Sequence, residues 1–219
     1  MLTIVPTPIG NLQDITLRAL QALRDADLVA AEDTRHSAVL LLHHNIKKPM
    51  LSLHEHNEAT RATDLVEEIA AGKSVALVTD AGTPGISDPG FRLIRACRER
   101  GVSVTVLPGP SAVITALVGS GFPTDAFFFG GFLPVKSGRR RTELERATSR
   151  RETSVYFESP HRLLKTLNVL VEIAPEAKVC VARELTKKFE EYRRGSAGEL
   201  RTHFETRQPK GEITLVISP

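Results

Sequence analysis

The 219-residue sequence contains no tryptophan, two tyrosines and two cysteines. Cys97 and Cys180 lie far apart without a partner motif. Both fall in apolar patterns, so buried thiols in a reducing compartment are expected rather than a disulfide. The opening Met1-Leu2-Thr3-Ile4-Val5-Pro6 lacks the basic region and apolar run of a signal peptide. The longest apolar runs, such as Ala112 to Val118, are too short to cross a bilayer. These features lead us to expect a cytoplasmic protein with no membrane partner. No Gly-x-Gly-x-x-Gly follows the first apolar run, and no Gly-x-x-x-x-Gly-Lys-Ser/Thr occurs anywhere. The usual dinucleotide fold and the P-loop NTPases are therefore disfavoured. His54-x-His56 has no clear third ligand, and no metal site is expected.

What is present describes an ordinary globular chain, 41% hydrophobic and 25% charged. Its length suits one large α/β domain or two small ones. The organising stretch is Ser74 to Gly90. Ser74 to Asp80 is a short β-branched run without polar alternation, which fits a strand buried on both faces of a parallel sheet. Ala81 to Gly90 follows, longer than an ordinary strand-to-helix connection. Its glycines let backbone approach a ligand, and its prolines stiffen the turn. Loops at the carboxyl ends of parallel strands are where such sheets bind ligands.

Strands are expected at 2–5, 28–31, 50–53 and 102–107, alternating with helices whose leucines recur at helical spacing. Pro108-Gly109-Pro110-Ser111 repeats the loop-then-helix pattern, with Ser111 in N-cap position. The two Pro/Gly loops are expected at neighbouring strand tips. This gives a doubly wound, mostly parallel N-terminal domain over 1–120. Gly119 to Pro123 marks the boundary. Residues 121–219 read as a mixed α+β domain, with Phe127-Phe128-Phe129 expected in its core. Strands are expected at 154–157, 179–182 and 213–217, with an antiparallel one near Tyr192.

Net charge is only +3, but it is uneven. Between Lys136 and Arg151 seven Lys/Arg face two Glu, a local balance of +5 that leaves −2 elsewhere. A basic arm on a nearly neutral body suits a polyanionic partner, and a solvated helix face is the plainer alternative. Arg139, Arg140 and Arg141 are its centre.

Several motifs together carry a resemblance. Val5 to Thr16, Glu32-Asp33-Thr34-Arg35-His36, Asp80 to Gly90 and Leu107 to Ala112 are similar to the tetrapyrrole (corrin/porphyrin) methylase superfamily. The likeness extends over Gly131 to Pro134, Tyr156 to Arg162, Arg183 to Glu190 and Lys210 to Leu215. It covers essentially the whole chain and points to the members that act on ribosomal RNA. Such members usually continue for a further small helical segment, and this sequence ends at Pro219. The resemblance implies two α/β domains with S-adenosyl-L-methionine in the cleft between them. It further implies transfer of the methyl group to a cytidine ribose 2′-oxygen in small-subunit (16S) ribosomal RNA or the 30S subunit, by a homodimer. Carried over by motif, Pro8, Gly82, Thr83, Ile86, Ser111 and Ala112 hold the cofactor, with Phe157, Ala182 and Glu212 from the second domain.

The chemistry asks for in-line alignment and removal of a hydroxyl proton. Asp33 and Glu158 are the candidate carboxylates, and pairing with Arg35 and Arg162 is their structural alternative. Those arginines are also shaped to hold RNA phosphate. Arg183 and Lys187 mark either substrate contacts or a charged loop. Phe132 or Tyr192 is available to stack on a flipped base. Tetrapyrrole C-methylation and a non-catalytic RNA-binding assembly factor are the rival readings.

Overall fold

In the first half of the chain, small and β-branched apolar runs form five short strands. They are β1 (Leu2–Ile4), β2 (Leu28–Ala31), β3 (Met50–Ser52), β4 (Val75–Val78) and β5 (Val104–Val106). All neighbouring pairs are parallel, in the order β3-β2-β4-β1-β5, with Ile4 opposite both Leu77 and Val106. Helices α1 (Leu17–Asp25), α2 (Thr34–His43), α3 (Glu58–Ala70) and α4 (Phe91–Glu99) connect them. One face of the sheet packs Ile4, Ala30 and Leu77 against Leu65, Ile69 and Leu93 of α3 and α4. The other packs Val29, Ala76 and Val78 against Leu20, Leu23 and Leu40 of α1 and α2. Burial on both faces is why the strands read as unbroken apolar runs. Each fully buried leucine contributes about 2 kcal/mol. Thr16 starts α1 by accepting the Ala19 N–H at 3.0 Å.

The computed structural model describes residues 1–218. It divides into two compact units, Met1–Ser111 and Ala112–Pro219. The second unit contains α5 (Ala112–Ser120), β6 (Phe127–Phe132), α6 (Ser137–Ser149), β7 (Thr153–Glu158), α7 (Leu163–Ile173) and β8 (Lys178–Arg183). It ends with β9 (Glu191–Ser196), α8 (Ala197–Thr206) and β10 (Ile213–Ile217). Its sheet runs β6-β7-β10-β8-β9, with only β6–β7 parallel. Tyr156, Val181 and Leu215 point to the core shared with Leu144, Leu163, Leu167 and Phe204. The parallel first sheet and the mixed second one match the sequence reading, including antiparallel β9.

The division falls after Ser111, nine residues before the boundary read from sequence. Helix α5 packs on the second sheet, against β7, β8, β9 and β10. Gly119 is the notch for this packing, because a side chain there would strike the Tyr192 ring. The Phe127 to Phe129 run is not the core strand expected. β6 is an edge strand, so Phe127 is 40% exposed, while Phe128 packs against the core. Phe129 lies edge-on to Phe157. Cys97 and Cys180 are buried free thiols, and burial pushes Cys180 up to about 11. Among the described residues no helix is long and apolar enough to cross a membrane. No three of their His, Cys, Asp or Glu side chains are arranged to hold a metal ion.

Candidate active site

Three loops leave the carboxyl ends of β1, β4 and β5. The strand order puts β1 between the other two, so the two Pro/Gly loops are not on adjacent strands. The β1 loop joins them. Thr7 N–H donates to the Gly82 carbonyl at 2.9 Å, and Gly82 N–H returns a bond to the Thr7 carbonyl at 3.0 Å. The Thr7 hydroxyl donates to the Thr79 carbonyl at 2.9 Å. On the other side the Thr83 hydroxyl reaches the Pro110 carbonyl at 3.4 Å. A Cβ on Gly109 would stand 2.7 Å from the Pro6 ring, so glycine there lets the β1 and β5 loops touch.

Within the β4 loop, Ile86 N–H closes a turn on the Thr83 carbonyl at 3.2 Å. Pro84 and Gly85 (φ +86°) occupy its centre, the residues that a type II turn requires. Ser87 follows in the left-handed region at φ 62°, a strained conformation of the sort that collects at ligand loops. Pro8 is buried, and Ile86 is 47% exposed at the tip. The three loops contain no lysine or arginine from 6 to 12, 79 to 90 or 107 to 111. Asp80 and Asp88 lie within the β4 loop, and Glu32 and Asp33 follow β2. The crown is acidic.

Asp33 N–H donates to Asp80 at 3.2 Å, and Asp80 N–H donates to Glu32 at 3.4 Å. Burial, with the Glu32 and Asp80 carboxylates nearby, pushes Asp88 up to about 7. Burial raises Glu32 as well. A carboxyl raised in the folded state stays protonated where the unfolded chain has ionised, so its contribution fades as pH rises from about 4 to 7. Asp88→Asn should therefore flatten the melting temperature against pH over that interval and raise it at pH 8. An unchanged pH slope would sink this assignment.

Asp33 caps α2, accepting from Arg35 N–H at 2.8 Å and pairing with its guanidinium at 2.7 Å. Those bonds hold its carboxyl far below the usual carboxylate range, which makes it a weak proton acceptor. The Arg35 side chain is 90% exposed and keeps its outer face to solvent.

In the second unit the sequence-read residues gather at one end of the sheet. Ile213 stands opposite both Glu158 and Arg183, and Thr214 opposite both Phe157 and Ala182. Glu158 is buried and fully engaged. It pairs with Arg162 at 2.9 Å and accepts Ser159 N–H at 2.7 Å and the Thr166 hydroxyl at 2.5 Å. Arg162 also donates to the Leu133 carbonyl at 3.1 Å. Lys187 bridges Glu184 at 3.1 Å and Glu212 at 2.8 Å. Glu184 and Thr186 hold positive φ of 51° and 63°, so this loop is built to one shape. Arg183 is fixed by Glu191 and by the Lys210 and Phe189 carbonyls. Tyr192, held over Gly119 with its hydroxyl on the Thr115 carbonyl at 3.4 Å, serves α5 packing. Phe132 is 59% exposed.

The basic arm is α6, and its charge is partly spent. Arg140 is buried, donating to the Val135 carbonyl at 3.2 Å, and so is not placed to meet RNA. Arg141 pairs with Glu145 and Glu172. Arg150 lies over the Phe128 ring at 3.7 Å. Lys136, Arg139 and Arg151 remain exposed. Two features escaped the sequence reading. Asp80 and Asp88 lie inside the Asp80 to Gly90 motif, and their place in a Gly/Pro loop was the signal. Glu58, the buried acceptor for three N–H groups at the start of α4, gave none.

The first unit is a parallel sheet with an acidic, glycine-bearing crown, and the second is a mixed sheet. The chain matches the model of the Tetrapyrrole (Corrin/Porphyrin) Methylases over residues 1–201 and belongs to that family of methyltransferases. It is 49% identical over 217 residues to the Ribosomal RNA small subunit methyltransferase I of Thermotoga maritima, covering 99% of this chain and 97% of that one. The protein of the same name from Haemophilus influenzae is 48% identical, over 99% of this chain and 78% of its own length. Among solved structures, the methyltransferase CobJ superposes with a TM-score of 0.73 at 18% identity, covering 99% of this chain and 93% of that one. Uroporphyrin-III C-methyl transferase from Thermus thermophilus, complexed with S-adenyl homocysteine, gives 0.67 at 18% identity, with 99% and 96% covered.

Proposed function

We propose that this chain methylates small-subunit ribosomal RNA, on the ribose 2′-oxygen of a cytidine, with S-adenosyl-L-methionine as methyl donor. The observation that carries the substrate is the near-full-length identity to proteins named for that activity. The crown carries the donor. Its loops offer backbone polar groups, no cation and several carboxylates, which suits a ligand with a sulfonium, an ammonium and one carboxylate and repels a polyphosphate. Pro8, Gly82, Thr83, Ile86 and Ser111 hold the donor in this reading. Bound there, the donor supplies a methyl group already activated on sulfur. The protein's own task is then alignment and exclusion of water. Asp33 fixes the exposed Arg35, whose free donors suit an RNA phosphate, and Arg139 on α6 adds a second contact. We place the protein in the cytoplasm as a homodimer, a state that sedimentation equilibrium reads directly.

Labelled donor incubated in parallel with unmodified 30S subunits and a uroporphyrinogen tests the substrate. Label is expected in the RNA at a linkage that resists alkali, because a methylated 2′-oxygen cannot attack its phosphate. Label on the tetrapyrrole alone would overturn the RNA reading.

A further inference from the structure

Two cavities follow one another along the outer edge of the second sheet, between β9 and α8. The larger, about 480 Å³, is lined by Tyr192, Arg193, Arg194, Glu199 and Leu200. The smaller, about 250 Å³, is bordered by Glu191 and His203 and ringed by Arg183, Arg207 and Lys210. Glu199–Leu200 and His203–Phe204 are one helical turn apart, so the cavities advance by about 6 Å along α8.

The carboxylates on this edge are already committed. Glu191 takes Arg183 at 3.2 Å and His203 at 3.7 Å. Glu199 accepts the Ser196 N–H at 2.8 Å and its hydroxyl at 3.1 Å, as the capping box of α8. Arg194 leans over the Phe122 ring at 4.9 Å. Arg193, Arg207 and Lys210 are exposed and make no ion pair among the described residues. What remains is a row of cations without ion-pair partners beside the two cavities, the larger of which has mainly polar walls. Arg183 holds the Lys210 carbonyl at 3.0 Å, which fixes the segment carrying two of those cations.

We propose that this β9–α8 edge is a phosphate track for single-stranded ribosomal RNA, separate from the basic helix α6. It rests on the reading of RNA as substrate. A row of cations spaced along a line neutralises successive backbone phosphates and carries no base specificity. Helix α6, by contrast, has turned Arg140 inward and paired Arg141. The edge therefore offers as much free positive charge as the arm that the sequence made conspicuous.

The test is a triple variant, Arg193→Gln, Arg207→Gln and Lys210→Gln, titrated with a single-stranded oligoribonucleotide and with 30S subunits from 50 to 200 mM salt. The slope of log K against log salt should become shallower by about 2, near 0.7 per lost phosphate contact. Donor affinity and melting temperature should not change, since the replaced side chains are on the surface. If the triple variant misfolds, Arg207→Gln alone should shift the slope by about 0.7. An unaltered slope overturns the track. Loss of 30S binding with full affinity for the oligonucleotide also overturns it, by assigning the edge to an acidic protein surface. A wild type that binds neither probe overturns the substrate reading and the track with it.

Discussion

Replacing Glu158 with alanine should lower the unfolding free energy by about 3–5 kcal/mol, a large share of the roughly 5–15 kcal/mol that holds a domain folded. The carboxylate is buried and its oxygens are in use. Oε1 meets the Arg162 guanidinium and the Ser159 N–H, and Oε2 meets the Thr166 hydroxyl. Removing it leaves the Arg162 side chain, itself only 18% exposed, without its counter-charge. The Thr166 hydroxyl, fully buried, loses its acceptor as well. An unpaired buried donor costs about 1–3 kcal/mol, and a charge costs more. Glu158→Gln keeps the shape and one acceptor oxygen, so a smaller loss is expected. The denaturant midpoint reads both, provided that the slope with denaturant stays constant. A Glu158 that served as proton acceptor would behave differently. Its glutamine variant would melt with the wild type and lose methyl transfer. Equal midpoints for wild type and Glu158→Gln, together with lost methyl transfer, would thus assign this residue to catalysis.

The strands and loops were legible because local chemistry writes them. A strand buried on two faces can only be an apolar run, as Val75 to Val78 is, and a loop held at φ +79° and +86° needs Gly82 and Gly85. Which strand lies beside which is not periodic, and the position of β1 between β4 and β5 left no trace in the sequence. Helix α5 falls in the second unit, where the sequence alone suggests the first, for a related reason. Its apolar pattern asks for burial without naming a sheet, and the notch that decides it is Gly119 under a ring 73 residues later. Charge shows the same limit. Arg139, Arg140 and Arg141 look alike in sequence, yet helical geometry turns them to different faces. Arg140 is inside, Arg141 is paired and Arg139 alone is free. Asp33 and Glu158 followed strands as expected. The arginines two and four residues on then claimed their lone pairs, the outcome that the spacing left open.

Alanine at Glu58 should cost about 3 kcal/mol of stability and weaken donor binding at least tenfold. The N-cap of helix α4 is Gly90, where φ is +127° and a Cβ would come 2.9 Å from Leu77. Only glycine fits, so the helix has no capping side chain of its own. Glu58 reaches across from α3 to supply one. Its Oε1 accepts Gly90 N–H at 2.9 Å, Arg92 N–H at 2.8 Å and Leu93 N–H at 3.3 Å. The carboxylate also faces the positive end of the helix dipole. Gly90 is the last residue of the loop proposed to hold the donor, and Gly85 N–H bonds the Pro89 carbonyl at 3.1 Å. Losing the cap therefore frees the end of the segment that, in the proposed reading, holds its turn around the donor. Glu67→Ala is the control. It removes an exposed α3 ion pair with Arg100 at 3.2 Å and should cost less than about 0.5 kcal/mol with donor affinity intact. Calorimetric titration with S-adenosylmethionine, alongside denaturant melts, separates the two effects. Glu58→Gln should fall between wild type and alanine in both. If Glu58→Ala loses stability but binds the donor as the wild type does, the cap serves the fold alone and the loop holds its shape without it.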